Sequence, residues 1–538
     1  MRRIVTLVAL ASLALIAAAG PATARPALAK SEIAVRILNS PQGQYLSPAA
    51  RSVLQKMAGY TQIYASTRGV PGSTLGPSGP NAVTAGDPGL PNVRVNDPSA
   101  DGQLVDQTQQ KAPSIAVHGS NVVVGFYDSQ AEFGTTFTAA TNVSGVAYSA
   151  DGGQTFNDAG VVPMAPGYFG YAGYSSVTSD DVGNFYYSNW MFNTRKFHSV
   201  PGVAKSADGG KTWSTPIDVA ATAEAKVFSY QTEFPSIASG GGVLYEVWDA
   251  FVDNGNSVIG FAKSTDGGAT WTNGLVSQAS VFSSTCSFQY FQGARALVAP
   301  DGAVYIAANQ TCFSVATNQV QVNQVFFAST DGGSTWSQGA SNVIASSTQG
   351  LGAFDLGPGR FIPNDEFPSV GLAGASIYMA WNDGGDGTHS HIKLARSTDH
   401  GQTWTNSWIT SGTNNEIEPA LTADASGIHV LYYQLVGAQP GCSNYCAGTG
   451  TANGAIDVLV SNSTDGSAWT PRRVTNQTSP GIFTMPPFDA FTPYYAEYIS
   501  SATDGTHQYF AWGDNRDIVT NWTWPRGRHD VDVFFAKQ

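Results

Sequence analysis

Ser264-Thr265-Asp266-Gly267-Gly268-Ala269-Thr270-Trp271 is one of six near-copies of a single octamer. Ser149 to Phe156 reads SADGGQTF, Ser206 to Trp213 SADGGKTW, Ser329 to Trp336 STDGGSTW and Ser397 to Trp404 STDHGQTW. A shortened copy, STDGSAW, runs from Ser463 to Trp469. The aspartates at 151, 208, 266, 331, 399 and 465 follow one another at steps of 57, 58, 65, 68 and 66 residues. Such a period marks a repeated supersecondary unit. The residue chemistry says which unit. An Asp carboxylate accepts hydrogen bonds from backbone N–H groups a few residues on and closes a tight turn. Gly-Gly supplies the positive φ that hairpin turns require. Thr and Trp then open a new strand, with the indole expected to pack back over the hairpin. Apolar runs precede the copies, as in Val258 to Ala262 and Val325 to Ala328. Asp151, Asp208, Asp266, Asp331, Asp399 and Asp465 therefore read as structural staples between two strands.

Upstream of each octamer lies a second pair of strand-like segments, clearest at Pro235 to Ala238 followed by Val243 to Asp249. Each unit thus has four short strands, lettered A to D from the inside outward, which is one propeller blade. A seventh unit starts at Ile499, continues through Tyr509 to Trp512 and reaches Val531 to Ala536, where the residues for its strand D run out. Asn92 to Asn96 is the expected donor, because closure by an N-terminal strand removes the exposed edges of an open ring. The expected fold is an all-β propeller of seven four-stranded blades closed by that strand; six blades with an appended hairpin is the alternative.

Composition agrees with a folded β protein. The 538 residues are 12% charged, about half the usual share, and 42% hydrophobic, with 27 Phe, 22 Tyr and 12 Trp. The net charge of −13 argues against nucleic acid or an anionic membrane as the main partner. Met1-Arg2-Arg3, the apolar run Ile4 to Ala19 and Ala22-Thr23-Ala24 read as a signal peptide over residues 1–24. The mature chain is expected to be secreted, extracellular or periplasmic, with no membrane span, and monomeric. Residues 25–91 form an N-terminal segment with helical character at Ser47 to Ala58 and a Gly/Pro-rich strap, and residues 92–538 form the propeller. Four cysteines fit an oxidising compartment; the expected bridges are Cys442–Cys446 within one loop and Cys286–Cys312, with a metal site as the alternative. No cofactor is expected, though a structural cation such as calcium would suit the loops.

The octamers resemble the Asp-box (BNR) repeats of the sialidase superfamily, across residues 110 to 538. That resemblance implies that the turns between strands C and D lie on one face of the disc. The D–A and B–C loops, and with them the functional site, then lie on the other. The B–C loops are the long and varied ones here, from Asp128 to Asn142 through Asp514 to Asp530, as on a binding surface carried by a rigid scaffold. Two functions follow as expectations. One is a secreted glycan-active enzyme, a sialidase-like glycoside hydrolase working at the loop face. The other is a non-catalytic propeller that binds carbohydrate or an extracellular protein there.

Candidate residues follow from position. Glu233, Glu366 and Glu497 each sit just before a strand A, so their carboxylates should converge on the channel mouth, as acid and base do in glycoside hydrolysis. The alternative reading has each one hydrogen-bonded to a neighbouring blade or holding a cation. Sialidases use an arginine triad, a Tyr paired with Glu and an Asp, which the resemblance maps onto Arg295, Arg360 and Arg516 in D–A or B–C loops, onto Tyr494 or Tyr495 near Glu497, and onto Asp514. The superfamily's Phe/Tyr-Arg-Ile-Pro string is absent from the first blade; the nearest string is Arg360-Phe361-Ile362-Pro363. Trp522 and Trp524 suit sugar stacking, or packing over the seam between the last and first blades. His389 and His391, near Asp383, read as a solvated loop rather than a metal site.

Overall fold

A computed structural model describes Val35 and residues 87–98, 110–128, 141–193, 199–220, 232–251, 257–277, 288–314, 319–337, 342–347, 353–357, 360–362, 366–384, 389–437, 439–442, 454–481, 498–519, 528–529 and 531–538. Seven antiparallel four-stranded sheets form the ring. Blade 1 comprises Gln110–His118, Asn121–Asp128, Ser144–Ser149 and Asn157–Val161, from strand A to strand D. Blades 2 to 6 repeat the pattern from their inner strands Tyr168–Ser179, Thr232–Gly240, Phe288–Val298, Ser369–Ala373 and Asn415–Asp424. Blade 7 takes Ser500–Thr503, Gln508–Asp514 and Asp532–Lys537 from the C-terminal end. Its outermost strand is Val93–Arg94, with Val93 opposite Phe535 and Arg94 opposite Phe534. The expected N-terminal closure is therefore present.

The octamers do more than turn the chain. In each full copy the Asp accepts the N–H of the Thr four residues on, as from Thr270 to Asp266 Oδ1 at 2.9 Å. The octamer's first Ser donates to the same oxygen at 2.8 Å, and its Oγ accepts from the second Gly at 2.9 Å. That second glycine lies flat on the preceding blade: a Cβ on Gly333 would stand 2.5 Å from the Phe261 ring, and one on Gly153 2.3 Å from Phe535. The Trp indole was expected over its own hairpin. Its N–H does bond its own turn, Trp271 to Gly268 O at 3.1 Å. Yet the Trp336 ring packs on Phe261, and Trp404 on Phe326, both in the preceding blade. The staple is also the spacer that sets blade against blade, and most hydrophobic clusters accordingly span two neighbouring blades.

Two features depart from expectation. Residues 87–91, assigned to the strap, already lie on blade 6: Leu90 is buried with its N–H on Val474 O, and the Asp87 carboxylate accepts the N–H of Arg473. A three-stranded sheet of Ala353–Gly357, Arg360–Ile362 and Gln439–Cys442 is built from a D–A and a B–C connection. It buries Phe354, Leu356 and Ile362 against blades 6 and 7. Segments read as loops thus hold a sheet of their own.

Candidate functional site

Strand A of most blades breaks register where it enters the channel, and the bulges follow Lys111, Ala172, Glu233, Gln292 and Ile417. Bulges of this kind re-aim a side chain. Aligned on the bulge, one residue per blade occupies the axial position: Ala112, Tyr174, Phe234, Gly293, Phe367, Glu418 and Tyr498. Left-handed φ values cluster here. Of six non-glycine residues with positive φ among the described residues, five lie at or beside this ring: Ala112, Phe234, Glu366, Glu418 and Tyr498. Each such residue carries strain of about 1–3 kcal/mol, which surrounding contacts must hold.

The aromatic members meet on the axis. Tyr174 stacks on Phe234 at 5.1 Å between centroids, Phe234 meets Phe367 at 5.0 Å, Phe367 stacks on Tyr498 at 5.7 Å, and Tyr498 abuts Tyr174 at 4.7 Å. Four rings from blades 2, 3, 5 and 7 plug the channel. Gly293 is the gap that admits Phe367, since a Cβ there would stand 2.5 Å from that ring. Polar side chains on the preceding blade's second and third strands fasten the strained backbone. Asp249 accepts the Gly293 N–H at 2.8 Å, Asn382 accepts the Glu418 N–H at 3.1 Å, and Gln324 and Asn309 donate to Glu366 O.

Glu366 stands at the mouth, 4% exposed. Glu233 lies in strand A opposite Asp249, with its side chain outside the described residues, and Glu497 is wholly outside them. A carboxylate the sequence reading passed over, Glu418 of blade 6, joins the ring at 7% exposure and accepts the Tyr498 N–H at 2.6 Å. The signal for it was present. Ala112-Pro113, Phe234-Pro235, Phe367-Pro368 and Glu418-Pro419 share a proline, and alignment on that proline puts Glu418 at the axial position.

The three arginines lie on three different elements. Arg295 was placed in a loop; it lies within strand A of blade 4, beneath the plug, with its guanidinium 5.7 Å from the Tyr498 ring centroid. Arg360 opens a strand of the three-stranded sheet. Arg516 is held on the rim by Asp514 Oδ2 at 2.5 Å and by Asn92 Oδ1 at 2.9 Å. Asp514, fully buried, also accepts the Trp512 indole N–H at 3.0 Å. It fastens the blade-7 seam, away from the axis.

His391 is no solvated loop residue. It opens strand C of blade 5 and bonds Glu416 Oε2 through Nδ1 at 2.7 Å, and among the described residues no group of His, Cys, Asp and Glu forms a metal cluster. Cys312 sits within strand B of blade 4 opposite Gln289, and Cys442 lies in the three-stranded sheet opposite Ala353. Cys286, Cys446, Tyr495, Trp522 and Trp524 lie outside the described residues, as do residues 1–24 and the helical stretch at 47–58.

No protein-family model matches the chain, and no curated protein matches it. Among solved structures it is similar to a protein of unknown function from Dyadobacter fermentans, at 14% identity over 68% of this chain and 97% of that one, TM-score 0.39. It is also similar to the GH93 α-L-arabinofuranosidase of Fusarium graminearum, solved with arabinobiose, at 11% identity over 83% and 98%, TM-score 0.41. A Hadza microbial sialidase matches at 13% identity over 69% and 66%, TM-score 0.40. The seven blades rest on this chain's own strand pairing.

Proposed function

We propose that the protein is a secreted glycoside hydrolase of the Asp-box superfamily that acts on an extracellular glycan at the loop face of the channel. One observation carries the reading: buried Glu366 and Glu418, from adjacent blades, stand at the one ring where left-handed backbone is concentrated. Strain held at a single ring by neighbouring blades is a mark of a functional position. Two carboxyl groups can divide the acid and the base or nucleophile roles of glycosidic cleavage. Glu233 precedes Phe234 and Glu497 precedes Tyr498 in the sequence, and both belong to the same test.

A panel of labelled glycans tests this with the wild type and with Glu366→Gln, Glu418→Gln, Glu233→Gln and Glu497→Gln. Loss of one acid–base group should lower turnover roughly 10²–10⁴-fold with little change in Tm. Turnover that survives in all four variants would place the chemistry elsewhere. A second reading, a non-catalytic glycan binder, is favoured by the shielding of both carboxylates. It predicts no turnover by the wild type and affinity lost on replacing Trp522 or Trp524.

A further inference from the structure

Below the plug the channel widens into a cavity of about 220 Å³ lined by inner strands of six blades. Its lining is rich in donors. Ser114, Ser176, Ser369 and Ser500 face it from equivalent positions. Each Oγ accepts a backbone N–H of another blade: from Val177 at 2.9 Å, Ile237 at 3.1 Å, Leu421 at 2.9 Å and Ile115 at 3.2 Å. A hydroxyl that accepts in this way keeps its proton to give, and no described residue accepts any of the four.

Blade 4 breaks the serine pattern with Arg295, which also lines the cavity. Its guanidinium makes one hydrogen bond, to Ala294 O at 3.4 Å, and faces the Tyr498 ring. Among the described residues it has no ion-pair partner. Burial is the main influence on it and pulls its pKa down, against the opposing fields of Tyr498 and Asp249. Arg295 is half-buried at the cavity wall, its charge met by the field of Asp249 but by no ion-pair contact among the described residues, and a guanidinium offers five donors for one acceptor used. Glu418 is the acidic side chain in the lining, and its Oε2 is turned to the Tyr498 N–H.

We propose that the channel below the plug is a binding site for a small monovalent anion, a halide or a short carboxylate, held by Arg295 and the ring of serine hydroxyls. The anion supplies a counter-charge in direct contact with the guanidinium and ties inner strands from several blades to one centre. Binding to the native ring alone makes thermal stability depend on anion concentration.

The test uses the full chain in gluconate buffer at constant ionic strength, titrated separately with bromide, formate and acetate. Wild type should show a saturable rise in Tm, and bromide-soaked crystals should give an anomalous peak beside Arg295; the halide and carboxylate arms identify which anion the site prefers. Arg295→Ser restores the residue that the equivalent blades carry and offers Val370 N–H an acceptor. It should therefore fold, with the anion response gone. Arg295→Lys keeps the charge and should keep a weakened response. An equal response in wild type and Arg295→Ser, or no saturable response of the wild type to any of the three anions, would overturn the proposal.

Discussion

Glu246 shows what a single residue does to the pH response. It is fully buried in strand B of blade 3, with the Ser188 hydroxyl donating to it at 2.5 Å. Burial drives its pKa up to about 8 from an ordinary 4.5, against the weaker pull of Ser188. The folded chain therefore keeps a proton that the unfolded chain releases above about pH 4.5. The stability it contributes is full below that pH and is lost as pH rises towards 8, by up to about 1.4 kcal/mol per unit. Glu246→Gln should flatten the fall in Tm between pH 5 and 8. A wild-type slope retained in the variant would assign the titration to another group. Gly293 acts through shape: Ala there would meet the Phe367 ring and adopt an unfavourable φ. Gly293→Ala should cost about 1–3 kcal/mol, as overpacking does, read as a lower denaturation midpoint.

At the scale of an element, the octamer turn is a small charged hydrogen-bond network. In Asp266 the Thr270 hydroxyl first, then its N–H, hold the carboxyl down at about 2. Asp331 and Asp399 sit at about 2 for the same reasons, and Asp151, Asp208 and Asp465 are lowered as well. Their stabilisation is present above the ordinary carboxylate range and is lost as pH falls from about 4 to 2. Acid unfolding should begin in that window, followed by circular dichroism. Asp266→Ala should lower Tm at neutral pH and leave any activity intact while the fold holds. Activity lost from a fully folded Asp266→Ala protein would move function to the turn face.

At the scale of the whole molecule, the ring depends on a strand some 440 residues from its partner. Val93–Arg94 closes blade 7, Val95 is buried, and Asn96 bonds both Asp532 Oδ1 and the Val533 N–H at 2.8 Å. Leu90 and Asp87 carry the same segment back onto blade 6. Deleting residues 25–98 exposes the edge of blade 7 and the seam together. The truncated chain should melt far below wild type, and a peptide spanning 87–98 should restore part of the loss. An unchanged melting temperature would show that the ring closes without it.

The repeat architecture was legible in the sequence because it rests on local chemistry. An Asp-Gly-Gly turn between apolar strands carries its own hydrogen-bond partners within eight residues, and six spaced copies mark six of the seven blades. The missing fourth strand likewise pointed to Asn92–Asn96, since an unpaired edge needs a partner. The axial site was only half legible. Glu366 precedes a strand A in the sequence and the shared proline aligns Glu418 with Phe234 and Phe367, whereas the left-handed backbone gathered at that ring follows from the bulge register, which pairing between strands decides. Arg295, Arg360 and Arg516 looked alike as arginines in connecting segments. Only the tertiary structure sent one to the channel, one to a small sheet and one to the rim, because distance around a closed ring is set by blade packing and not by separation along the chain.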